Sequence, residues 1–144
     1  MSQTTRCHQL AMFVVYDNPL QIFSGNPSQG YLEPEFMELL GSLPTTWDTT
    51  IIIEATIGDH IVTARRNAHD WYIAGMCAGD PKDFDLNLSF LPQGNYAGTI
   101  CKDGINADRN AMDYVIGKST LQKNENVHVH LAPNGGFLMR LRKE

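Results

Sequence analysis

A mainly β fold, an antiparallel sandwich of about eight short strands behind one or two N-terminal helices, follows from three observations on the sequence. After Pro44 the apolar residues repeat at every second position rather than at the helical period. Turn residues such as Gly58-Asp59, Asn67 to Asp70 and Pro92 to Asn95 interrupt that pattern at short intervals. No long helical pattern appears after residue 41, so the strands have only each other to pack on.

Each element has its own justification. Thr4 to Tyr16 favour helix, and at 100° per residue Cys7, Leu10, Ala11, Val14 and Val15 share one broad face. Met12, Phe13 and Tyr16 fall largely on the other side, so the helix is apolar around most of its circumference and suits burial on more than one side. Asp17 to Tyr31, with its prolines and glycines, reads as linker. Pro34 suits the first position of a second helix, Glu33 and Glu35 favour its positive end, Gly41 suits its close, and Phe36, Leu39 and Leu40 give it an inner face. The domain boundary falls here, between 1–43 and 44–144.

Ile51 to Ile57 and His60 to Arg66 read as a hairpin, with Gly58 in the first position of a two-residue type II′ turn. Asn67 to Asp70 turn the chain into a third strand, Trp71 to Cys77. Phe84, Leu86, Leu88 and Phe90 alternate with Asp83, Asp85, Asn87 and Ser89, the pattern of a strand with one face in a core and one in water. Tyr96 to Cys101, Met112 to Ile116, Val127 to Leu131 and Phe137 to Leu141 complete the set.

Composition narrows the partners. The chain is 42% hydrophobic and 19% charged with a net charge of -5, which describes a globular acidic domain without the clustered cations that nucleic-acid binding needs. No apolar run is long enough to span a bilayer. Cys7, Cys77 and Cys101 match neither a disulfide framework nor a zinc spacing and read as small core residues.

Four groups of residues carry possible chemistry. His128 and His130 share a strand face with Cα atoms about 6.6 Å apart, so with His60 as a third ligand they would suit a metal; alternating histidines on a wet face are the simpler account. Asp103 to Arg109 gathers oxygen ligands and a glycine as calcium loops do, in an order unlike the EF-hand, and fits better a structured loop bracing a domain contact. Asp70, Asp80, Asp83 and Asp85 invite comparison with the paired carboxylates of glycoside hydrolysis, yet most lie in loops or on the wet strand face. Trp47, Trp71, Tyr72 and Tyr96 would form a sugar-stacking platform if exposed together, and would fill the core otherwise.

The ordered blocks TRCHQLAMFVVYDNPLQ, PTTWD, IVTARR, WYIAG, FDLNLSFLPQGNY, DGINADRNAMDY and LAPNGGFLMRL, from about Thr5 to Leu141, resemble the C-terminal end of glycoside hydrolase family 97. That family comprises bacterial α-glucosidases and α-galactosidases. The resemblance implies a three-part parent: an N-terminal β-sandwich, a catalytic (β/α)8 barrel and a small C-terminal sandwich. Residues 1–43 would then be the last helix and linker of a truncated barrel, and 44–144 a non-catalytic accessory domain serving stability or oligomer contacts. A carbohydrate-binding module is the alternative. The parent's catalytic carboxylates and calcium ligands would lie upstream, leaving no catalytic, cofactor-binding or metal residue in this chain. Parents of this kind are typically periplasmic or secreted. The expected partners are the parent's barrel and, where the barrel is missing, a second copy meeting Met12, Phe13 or Tyr16.

Overall fold

The computed structural model describes residues 3–23 and 25–144. Three helices lead, α1 (Arg6–Val15), α2 (Pro27–Gly30) and α3 (Pro34–Gly41). Eight strands follow: β1 (Thr49–Thr56), β2 (His60–Asn67), β3 (Asp70–Cys77), β4 (Lys82–Asn87), β5 (Asn95–Asp103), β6 (Tyr114–Gln122), β7 (Asn126–Leu131) and β8 (Gly136–Lys143). Every strand pair is antiparallel. One sheet has six strands in the order β1-β2-β3-β8-β5-β6, and the other consists of β4 and β7. The mainly β sandwich expected from the sequence is therefore present. The single-turn helix α2 lies within the segment read as linker: Asn26 caps it by accepting from Ser28 N, and Pro27 opens it.

The six-stranded sheet is covered on both faces. Toward β4 and β7 it presents Val62, Ala64, Trp71, Ile73, Phe137, Met139 and Leu141, which pack against Phe84, Leu86, Leu88, Leu91, Val129 and Leu131. Toward the helices it presents Tyr72, Ala74, Cys101 and Leu138, which meet Cys7, Leu10, Ala11, Val14 and Val15 of α1 and Phe36 and Leu39 of α3. Burial on both sides explains why β3 and β8 read as unbroken runs rather than as alternation, since neither face of a central strand touches water. The last strand in the sequence sits between β3 and β5, so the sheet closes only when the chain end returns to its middle.

Local details depart from the sequence reading for identifiable reasons. The β1–β2 turn has three residues: Asp59 N donates to Thr56 O at 3.1 Å, and Gly58, at φ 77°, takes the second corner rather than the first. Ile53 has no partner in the β1–β2 register, which shifts between Ile52 and Glu54 as a bulge. β4 stops at Asn87, because the Asn87 side chain accepts from Ser89 N at 3.0 Å and turns the chain. Phe90 is then only half-buried, and Leu91 takes the core position beside Leu88. The strand expected over 112–116 begins at Tyr114 and runs to Gln122, because Asp113 closes a turn onto Asn110 O. Its second half is polar because β6 is an edge strand, and the apolar signal fades there. Gly41 is the last residue of α3 rather than its left-handed cap; Ser42 caps it in an αR conformation.

Candidate docking surface

The leading helices bound an apolar groove. Thr5 caps α1 by accepting from His8 N at 3.1 Å, and the face of Cys7, Leu10, Ala11 and Val14 lies on the sheet. Gly136 is what lets the helix sit so close: a Cβ there would lie 2.5 Å from His8 Cα and 2.9 Å from Cys7 O. The helix start is also tied down by Thr5 N donating to Asn134 O at 3.2 Å and by His8 Nδ1 hydrogen-bonded to Gly135 O at 3.2 Å. At the other end, Arg65 Nη2 donates to Val15 O at 3.3 Å and places a cation where the helix dipole is negative.

With its inner face spent on the sheet, α1 turns Met12, Phe13 and Tyr16 away from it. These residues, with Ile22, Phe23, Phe36, Met37 and Leu40, line a groove of about 610 Å³ between α1, the 17–31 segment and α3. Gln21 Nε2 donates to Phe13 O at 2.6 Å and holds the segment against the helix. Around the groove stand Leu20 at 73%, Ile22 at 81%, Tyr31 at 87% and Leu32 at 79% exposure, a density of bare apolar side chains that marks an interaction surface.

One corner of the groove is polar and rigid. Arg6 Nη1 donates to Glu33 Oε1 at 2.9 Å, the Tyr114 hydroxyl donates to Glu33 Oε2, and the Arg6 guanidinium lies over the Phe36 and Tyr114 rings. The Tyr114 and Arg6 hydrogen bonds hold the Glu33 carboxyl below its ordinary value. Burial and Glu33 push the Tyr114 hydroxyl up to about 12. The cluster thus stays as carboxylate, cation and neutral phenol through neutral pH, a clamp between α1, α3 and β6.

The residues singled out from the sequence lie elsewhere. His128 and His130 are on the outer face of the two-stranded sheet, each 2.8 Å from a carboxylate across the strand pair, Asp85 and Asp83 respectively. His60 packs its ring against Phe84 on the inner side of the same sheet and contacts Asp59 and Glu54, so the three histidines do not converge. Among the described residues no group of three or more His, Cys, Asp or Glu side chains is arranged to hold a metal ion. None of Asp70, Asp80, Asp83 and Asp85 lines the groove, nor the smaller cavity beside the β1–β2 turn. Trp71, Tyr72 and Tyr96 are buried in the core and Trp47 meets Tyr72 edge-on at 5.3 Å, which leaves these rings no shared exposed plane and removes the sugar-stacking platform.

The loop from Asp103 is ordered by its own groups. Asp103 Oδ2 accepts from Ala132 N and Gly136 N, both at 3.0 Å, and Asp113 Oδ2 accepts from Asn106 N at 2.8 Å. With the helix-start loop resting on it, Asp103 is buried, and burial pushes its carboxyl up against the opposite pull of those donors.

With this geometry in place, comparison with known proteins is informative. The family profile described as glycosyl-hydrolase 97 C-terminal, oligomerisation, matches residues 46–142. The chain belongs to this family. It is 39% identical over 142 residues to a retaining alpha-galactosidase of Bacteroides thetaiotaomicron, a match covering 99% of this chain and 22% of that enzyme. It superposes with a TM-score of 0.94 and 29% identity on a glycoside hydrolase family 97 enzyme from Pseudoalteromonas sp. strain K8 in complex with acarbose, over 99% of this chain and 23% of that one. A beta-arabinopyranosidase follows at TM-score 0.77 and 28% identity, over 97% of this chain and 22% of that one. The chain spans roughly a fifth of these relatives' length. Residues 46–142 are thus the family's C-terminal oligomerisation domain, with the helices α1 to α3 lying ahead of the matched span. No helix among the described residues is long and apolar enough to cross a membrane.

Sequence reasoning missed the Arg6–Glu33–Tyr114 clamp and the buried Arg65 and Arg140 of this family 97 domain. The clamp joins residues 27 and 81 positions apart, a separation that no local period reports. For the arginines a signal existed: Arg65 continues the inward parity of Ile61 and Thr63 along β2, which an arginine on a wet face would break.

Proposed function

We propose that this chain is the non-catalytic C-terminal accessory part of an α-glycosidase, and that the groove of α1 to α3 receives that enzyme's catalytic barrel. The observation that carries this is the apolar outer side of α1 and its surroundings, a surface larger than a lone sandwich needs and lying ahead of the matched span. In this reading residues 1–43 are the end of the barrel, and the hydrolytic carboxylates and calcium belong to upstream parts of the enzyme. The 39% identical alpha-galactosidase supports an α-galactoside or a related α-glucoside as the whole enzyme's substrate. Where the barrel is missing, the bare groove pairs with a second copy through Met12, Phe13 and Tyr16.

Two measurements test this. The purified chain is expected to release no chromophore from a nitrophenyl α-galactoside or α-glucoside, with or without calcium; turnover above a buffer blank would sink the accessory role. Phe13→Asp is expected to remove one step of self-association in sedimentation while leaving the unfolding of the sandwich unchanged. Association identical to the unmodified chain would show that the groove does not pair.

A further inference from the structure

Two of the three cysteines meet across the layer that joins the leading helices to the sandwich. Cys7 Sγ and Cys101 Sγ stand 3.7 Å apart, both wholly buried where the first turn of α1 rests on β5. The two residues are 94 positions apart, so no spacing in the sequence announces the pair. Cys77 is kept out of it: its thiol donates to Ala132 O at 3.4 Å, and its side chain belongs to the core shared with β4 and β7 on the other side of the sheet.

The first turn of α1 is fixed in register with β5 from several directions. Thr5 N donates to Asn134 O, Arg6 N to Ala111 O at 2.8 Å, and the bare backbone of Gly136 lets the helix settle against the sheet. Asp103, two positions after Cys101 and so on the same face of β5, also reaches the Cys7 thiol. The hydrogen bond with Cys101 and burial push that thiol above its ordinary value, so beneath the seated helix the pair rests as two thiols. A disulfide bond is about 2 Å long, so closing one here asks the sulfurs to approach by less than about 2 Å. Two sulfurs already held in contact react with each other far more readily than with a passing molecule.

We infer that Cys7 and Cys101 are an oxidisable pair that closes to a disulfide across the contact of α1 with β5, locking the leading helix to the sandwich. The oxidant is a small disulfide or a disulfide-carrying protein, which reaches Cys7 while α1 is unseated. The Cys7 thiolate attacks one sulfur of the donor and displaces the other as a thiolate. Seating of the helix then brings Cys101, whose sulfur displaces the second donor sulfur from Cys7. The pair loses two protons and two electrons, and the donor leaves as two thiols. The bond encloses 94 positions of chain and spans the joint between α1 and residues 46–142, so it restrains the unfolded chain and the lifting of the helix together.

Refolding the complete chain from urea in a mixture of reduced and oxidised glutathione tests this. Alkylation and digestion without reductant are expected to yield one linked peptide pair carrying Cys7 and Cys101, lighter by two hydrogens, with Cys77 alkylated. In the linked form the backbone amides of α1 should exchange with solvent at least about tenfold more slowly than in the dithiol form, and dithiothreitol should reverse this. Cys77→Ala should keep the link. Cys101→Ala should abolish it and leave exchange in α1 indifferent to glutathione. A refolded chain with Cys7 and Cys101 both alkylated, or with either joined to Cys77 or to glutathione, would overturn the pairing. A link that leaves α1 exchange unchanged would overturn the lock. Neither outcome bears on hydrolysis or on self-association through the groove.

Discussion

Gly136 and Asp103 decide how the first helix meets the sheet. A methyl group on Gly136 would press into the backbone of Cys7 and His8, which cannot yield without moving the helix, so Gly136→Ala should cost about 1–3 kcal/mol in urea unfolding. Gly117→Ala is the control: its new Cβ would meet Ile100 Cγ2 at 3.6 Å, ordinary contact, and stability should change by no more than about 0.5 kcal/mol. Asp103 supplies a pH signature. Burial raises its folded-state pKa above the unfolded value, so the folded state holds the proton longer. Stability from this group is then full below the ordinary aspartate value and declines as pH rises through the folded one. Asp103→Asn should flatten that part of the stability curve above pH 4. An unchanged slope would mean that the carboxyl is better solvated than its burial implies.

At the level of elements, β4 gives the sharpest test. Leu86 is 2% exposed and faces β7's Val127 across the inner side, whereas Asp85 points outward to His128. Leu86→Ala should cost about 2–5 kcal/mol and Asp85→Ala no more than about 0.5 kcal/mol. Equal losses would mean that the strand faces the other way. This strand was legible in the sequence because one wet face and one dry face print a period of two. β3 and β8 were legible only as runs, and the reason, helices on one side and a small sheet on the other, lay in contacts no window of sequence spans. The partition into six strands and two was likewise unreadable, since the position of β8 between β3 and β5 is set by pairing over long separations. Of the docking surface, the turned-out Met12, Phe13 and Tyr16 could be read from the helical period. The walls contributed by the 17–31 segment and the clamp at Glu33 could not.

At the level of the whole molecule, the sandwich and the leading helices share a core rather than a linker. Cys101, Leu138, Tyr72 and Ala74 are covered by α1 and α3, so a chain cut to 44–144 would expose them together. Such a fragment should bind a hydrophobic dye strongly and aggregate on warming, whereas the complete chain should do so weakly. A soluble, dye-silent fragment would show that the sandwich re-covers that face by itself. The close seat of α1 on Gly136 carries this into evolution and engineering. A module boundary drawn where sequence similarity to the accessory domain begins would slice through the layer that seals it, so the domain can be transplanted to a new enzyme only with its preceding helix attached. Any exchange of the sandwich would have to carry the preceding helix with it, which ties the history of residues 46–142 to that of the segment packed against them.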